Sequence, residues 1–155
     1  PPFNRGRQGA SIKALTGGRR STFTAAKVQY EELMARVLIV DDSPSQLMSM
    51  KLIIERLGHE AVTAEDGALG VEAAKREMPD LILMDVVMPN LNGFQATRSI
   101  AKNPETSHIP IILVTTKDQE TDRVWGIRQG AKAYLTKPVN EGALIKLVKE
   151  LLPAS

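Results

Sequence analysis

The chain has 155 residues, of which 43% are hydrophobic, 25% charged and only 4% aromatic, the composition of one soluble domain with an aliphatic core. It contains no cysteine, which excludes disulfides, thiolate chemistry and cysteine-ligated metals and suits a cytoplasmic protein. No apolar run approaches the roughly 18 residues of a membrane span, and the net charge of +2 is unevenly divided: residues 1–33 carry six basic side chains against Glu31 and Glu32, a net of +4, which leaves 14 basic against 16 acidic residues in the rest.

The basic excess therefore lies in the head, and the folded part is not expected to bind nucleic acid. Residues 1–33 show no sustained period and are rich in Gly, Ser, Thr and Arg. They read as a disordered basic head or an upstream extension preceding a start at Met34. A tail that binds an anionic partner is the functional alternative.

From Val37 the pattern is regular. Val37–Val40 is a buried strand that ends in Asp41-Asp42. Ser43-Pro44, with Gln46 three residues after Ser43, predicts an N-cap, a first-turn proline and a capping box. Leu47, Met50, Ile53, Ile54 and Leu57 mark one face of the first helix, which Gly58 closes. Glu60–Ala64 is a weak second strand, and Asp66-Gly67 opens a second helix that stops at Met78-Pro79.

Leu81–Met84 is a third strand without polar alternation, hence buried on both faces, and it ends on Asp85. A third helix follows Asn92-Gly93 and ends at Asn103-Pro104. A fourth strand is predicted over Ile109–Val114, ending in Thr115. A fourth helix starts at Asp118, contains Val124, Trp125 and Ile127, and stops at Gly130. A fifth strand covers Lys132–Leu135 and ends in Thr136-Lys137-Pro138, and Asn140 caps a last helix through Leu144, Leu147, Val148 and Leu151.

Five β-α units with short connections imply an α/β fold, a doubly wound parallel sheet with helices on both faces. Such a sheet carries its chemistry at the carboxyl ends of its strands. Asp41, Asp42, Asp85, Thr115 and Lys137 all arrive at that edge. Each alone has a plain explanation as a cap, a turn residue or a solvated charge; their joint arrival carries the argument. Three gathered carboxylates repel one another, and a hard divalent cation relieves that repulsion. Mg²⁺ takes oxygen ligands and keeps room for phosphate oxygens. The constellation suits phosphoryl transfer to Asp85, with Lys137 and Thr115 as stabilisers of the transferring oxygens.

These residues resemble the receiver domain of two-component response regulators. The matching motifs are Val37–Ser43, Leu83–Pro89 with Asn92-Gly93, Thr115, and Lys137-Pro138, and the likeness extends from Val37 to about Leu152. It implies a flavodoxin-like (βα)5 sheet of order 2-1-3-4-5 over an expected domain of 34–155. It further implies Mg²⁺ held by Asp41, Asp42, Asp85 and the backbone carbonyl of Val87. A CheA-like histidine kinase would phosphorylate Asp85, and Lys137-Pro138 would be a cis peptide. With the chain ending just after the fifth helix, the expectation is a single-domain, chemotaxis-type regulator. The stretches 92–98 and 115–122 are similar to the regulators of type IV pilus twitching motility.

The same resemblance makes Thr115 and Tyr134 the switch and the α4-β5-α5 face the readout, toward an unknown output protein or a phosphorylation-dependent dimer. Plain strand packing is an equal reading of Tyr134. Val87 and Lys117 occupy the positions that tune phosphoryl lifetime in the family, and valine cannot hydrogen-bond a water, which predicts slow self-hydrolysis. Trp125 is expected in the core, with a partner anchor as the alternative. Met48, Met50, Met78, Met84 and Met88 are expected as core filler, and no catalytic role is assigned to His59 or His108. The competing readings are a phosphorylation-independent docking module, a phosphate sink and a small-molecule phosphohydrolase. The last would require an acid at Val87.

Overall fold

In the computed structural model, which describes residues 34–152, the uninterrupted apolar runs form the inner strands of one parallel sheet. In chain order the elements are β1 (Arg36–Val40), α1 (Pro44–Arg56), β2 (Glu60–Ala64), α2 (Gly67–Glu77), β3 (Leu81–Met84), α3 (Gly93–Lys102), β4 (Ile111–Thr115), α4 (Glu120–Gln129), β5 (Ala133–Thr136) and α5 (Glu141–Leu151). The strand order is β2-β1-β3-β4-β5 with every pair parallel. The fold is thus the flavodoxin-like α/β sheet expected. The predicted head falls outside the described residues.

Why these residues take these positions follows from period and polarity. β3 and β4 are buried along their whole length, because helices cover both faces of the sheet. β2, the weak strand, lies at an edge and alternates less cleanly. Successive strand residues enter opposite half-cores. Leu38, Val40, Ile82, Met84, Leu113 and Tyr134 pack with α2 and α3. Val37, Ile39, Leu83, Ile112 and Val114 pack with α1 and α5.

Several boundaries move by one or two residues. β4 begins at Ile111, not Ile109, because Pro110 has no N–H for the ladder; its carbonyl still accepts from Ile82 N at 3.0 Å. β4 and β5 each run one residue further than predicted, since Thr115 pairs with Thr136. α4 starts at Glu120 rather than Asp118, where the Asp122 carboxylate accepts the Gln119 N–H at 3.3 Å.

Two expectations about packing are corrected. Trp125 is half-exposed, at 50%. α4 seats on the sheet through Gly126, where an added Cβ would come within 2.6 Å of Leu113 Cδ1. One residue along a helix is a rotation of about 100°, so the seat at Gly126 turns its neighbour Trp125 outward. Met48 is exposed for the same reason, beside the buried Leu47; Met50 and Met84 are buried as expected.

Candidate functional site

The carboxyl edge of the sheet gathers five side chains from four strands. Asp41 and Asp42 follow β1, Asp85 follows β3, Thr115 ends β4 and Lys137 follows β5. Asp41, Asp85 and Thr115 are buried, whereas Asp42 is exposed. One carboxylate oxygen from each of Asp41, Asp42 and Asp85 lies within 4.8 Å of the others. Lys137 Nζ bonds Asp41 Oδ2 at 2.7 Å and stands 3.7 Å from Asp85 Oδ1. The Lys137-Pro138 peptide is cis, as the resemblance implied.

Backbone donors hold the acids in place. Asp85 N–H bonds the Val40 carbonyl at 2.9 Å, which ties β3 to β1 at this edge. Val86 N–H donates to Asp85 Oδ1 at 2.8 Å. Ser43 N–H donates to Asp41 Oδ1 at 2.9 Å. This last contact corrects the capping box expected at Ser43. The Ser43 hydroxyl does accept from Gln46 N at 3.4 Å, but Asp41 takes the Ser43 N–H that the Gln46 side chain would have served. The reciprocal box forms at α3 instead, between Asn92 and Gln95.

Gly93 fixes the loop after Asp85. Its N–H bonds the Val86 carbonyl at 2.9 Å, and a Cβ there would run into the Asp85 carbonyl oxygen. Only glycine permits that approach. The loop and α4 border an open groove of about 460 Å³, whose walls include Val87, Met88, Phe94, Lys117 and Trp125.

The electrostatics follow from burial. The Asp85 carboxyl is pushed above the usual carboxylate range, first by desolvation and then by the charge of Asp41. Lys137 and the backbone N–H groups of Val86 and Val87 pull the other way. An oxygen-only cluster with a surplus of negative charge fits a hard divalent cation such as Mg²⁺.

At the far side of β4, Thr115 Oγ1 accepts the Lys117 N–H at 3.3 Å. Tyr134 is buried, and its hydroxyl donates to the Lys117 carbonyl at 2.7 Å. The structure thus brings both predicted switch residues to the β4-α4 loop. Sequence reasoning did not single out Arg123, which touches Tyr134 from α4. His59 and His108 stand before β2 and β4, at the opposite edge.

Comparison with known proteins agrees with this geometry. Residues 37–149 match the family model described as the response regulator receiver domain. Protein PilH of Pseudomonas aeruginosa is 58% identical over 119 residues, 77% of this chain and 98% of that protein. The response regulator PleD of Caulobacter vibrioides is 37% identical over 119 residues, but the match covers 26% of its length. Among solved structures, the chemotaxis protein CheY4 of Vibrio cholerae superposes with a TM-score of 0.72 at 32% identity, covering 77% of this chain and 99% of that one. The receiver domain of a sensor histidine kinase from Pseudomonas aeruginosa, with a magnesium ion coordinated in its active-site cleft, gives 0.71 at 30% identity, covering 76% and 97%.

Proposed function

The chain belongs to the response regulator receiver family, and from that premise we propose that it is a phosphorylation switch whose acceptor is Asp85. The observation that carries the reading is the buried Asp85 carboxylate set between the Asp41 and Asp42 acids and the Lys137 ammonium. A CheA-like histidine kinase is the donor. An Asp85 oxygen attacks phosphorus, the P–N bond of the kinase phosphohistidine breaks, and the imidazole leaves.

Asp41, Asp42, Asp85 and the Val87 carbonyl would hold Mg²⁺, which when bound neutralises charge on the transferring oxygens. Lys137 adds a second positive charge, and the Val86 N–H keeps one Asp85 oxygen oriented. Phosphorylation turns a charge of −1 into roughly −2 with new acceptor oxygens. The Thr115 hydroxyl donates to one of them, which strengthens the inward position that Tyr134 holds. The α4-β5-α5 face then changes its affinity for an output protein or for a second copy of the chain. The 58% identity to PilH supports a place in type IV pilus motility signalling. With such a kinase the switch works in the cytoplasm.

Intact mass spectrometry after incubation with Mg²⁺ and phosphoramidate tests the assignment. One phosphoryl adduct is expected on the wild type, dependent on Mg²⁺ and missing from Asp85→Asn. No adduct where a control receiver labels would overturn it.

A further inference from the structure

Tyr134 is held from α4 as well as from its own strand. Its side chain is buried, and its hydroxyl reaches the Lys117 carbonyl at 2.7 Å. Burial raises that hydroxyl to about 12, so it stays a donor at any working pH. Arg123 grips the same residue twice. Its Nη1 donates to the Tyr134 backbone carbonyl at 3.1 Å, and its guanidinium carbon lies 5.0 Å over the ring. One turn further along α4, Gly126 backs the ring: an added Cβ would come within 3.2 Å of Tyr134 Cδ2.

We propose that Arg123 is the positioning residue of the switch: it holds Tyr134 inward against Gly126 and so ties the seat of α4 to the state of Asp85. The inference rests on the phosphorylation reading above and adds to it the residue that sets the resting equilibrium. The contacts form a continuous path. Arg123 touches Tyr134, Tyr134 bonds the Lys117 carbonyl, and the Lys117 N–H bonds Thr115 Oγ1.

Turning the ring outward breaks the Lys117 bond and the stacking contact with Arg123 together, while the Arg123 bond to the Tyr134 backbone carbonyl keeps the guanidinium in place. The planar guanidinium can stack and donate at once, and a lysine cannot reproduce both. A ligand shifts such an equilibrium only by its differential affinity for the two states, and the coupling is reciprocal. Weakening the latch thins the population of the inward state that takes up the phosphoryl group and so slows uptake in proportion, and phosphorylation in turn favours the latched ring.

The test uses the full chain with Arg123→Met, Arg123→Lys, Tyr134→Leu and the Arg123→Met/Tyr134→Leu double variant. NMR reads the nuclear Overhauser effect between the Tyr134 ring and Gly126 Hα, and intact mass reads labelling by phosphoramidate with Mg²⁺. Arg123→Met is expected to weaken the ring signal and to slow labelling about fivefold, in the range of coupling between contacting residues. Arg123→Lys recovers only part of both, and it carries the test should the Met variant not fold. On Tyr134→Leu, loss of Arg123 adds less than about twofold. A full ring signal without Arg123, or a slowing that adds in full on Tyr134→Leu, overturns the proposal. Failure of the wild type to label would overturn the phosphorylation reading instead, and the ring signal would still judge Arg123.

Discussion

Lys137 bonds Asp41, at 2.7 Å, and stands a further ångström from Asp85. The two side chains are 11% and 1% exposed, so this is a nearly dry ion pair. Removing one partner of such a pair leaves the other as an uncompensated buried charge, a loss of about 3–5 kcal/mol. Lys137→Met is expected to lower unfolding stability on that scale in chelator. Urea denaturation checks it; an unchanged midpoint would mean that water already screens Asp41.

Asp85→Asn is expected to act in the opposite direction. The folded carboxyl is raised above its ordinary value by burial and Asp41. A group raised in this way weakens the fold once pH climbs above its unfolded value, where the unfolded chain loses the proton more readily. The neutral amide removes that cost at neutral pH. A gain of roughly 0.5–2 kcal/mol is the usual scale when a functional strain is relieved. Calorimetry in chelator should show a higher melting temperature.

Asp42 separates metal binding from folding. It is exposed while the other two acids are buried. Asp42→Asn should leave stability in chelator within about 0.5 kcal/mol. Mg²⁺ at a hundredfold excess over its dissociation constant should add about 2.7 kcal/mol to the wild type and much less to the variant. Equal metal responses in thermal melts would remove Asp42 from the ligand set.

Acid should loosen the opposite edge of the sheet. His59 Nδ1 accepts the Ala35 N–H at 3.0 Å, which requires a neutral ring. Burial lowers its folded value below 6.5, and Asp80 only partly opposes this. The unfolded chain therefore takes up the proton first. Stability is complete above about pH 6.5 and falls as pH drops through that value. The fall in urea midpoint between about pH 7.5 and about pH 5.5 should be smaller in His59→Asn. Parallel pH profiles would show that His59 carries none of it.

Phosphoryl lifetime depends on what can hold a water near Asp85. Val87 is 56% exposed beside the site and offers no hydrogen bond. The Lys117 ammonium is drawn 3.8 Å from Asp122. Val87→Asn supplies a polar group where water must stand, and it should shorten the half-life of the phosphorylated chain by about tenfold, below the scale of general-base catalysis because an amide orients the water without taking its proton. Decay of the intact-mass adduct after donor removal measures this. Rapid decay in the wild type would contradict the expected persistence.

Much of this was written locally in the chain. The runs Val37–Val40 and Leu81–Met84 declared buried strands, and their acids declared the edge. What escaped was set by rotation and by partners distant in sequence. Trp125 and Met48 follow their helices' period, but the helix phase depends on where Gly126 and Leu47 touch the sheet. The Ser43 box failed because Asp41, two residues earlier, competes for the same N–H. Arg123 stayed hidden because its role lies in a carbonyl and a ring eleven residues on, across a turn. No periodic pattern encodes such a contact.

The sheet also divides the molecule into two rooms. Tyr134 belongs to the half-core shared with α2 and α3, while α1 and α5 pack on the far side. Exposed positions of α1, such as Met48 and Leu52, can be substituted without disturbing the half-core that holds the Tyr134 ring. One wall of the molecule is therefore free to diverge in sequence while the packing around Tyr134 on the other stays as it is.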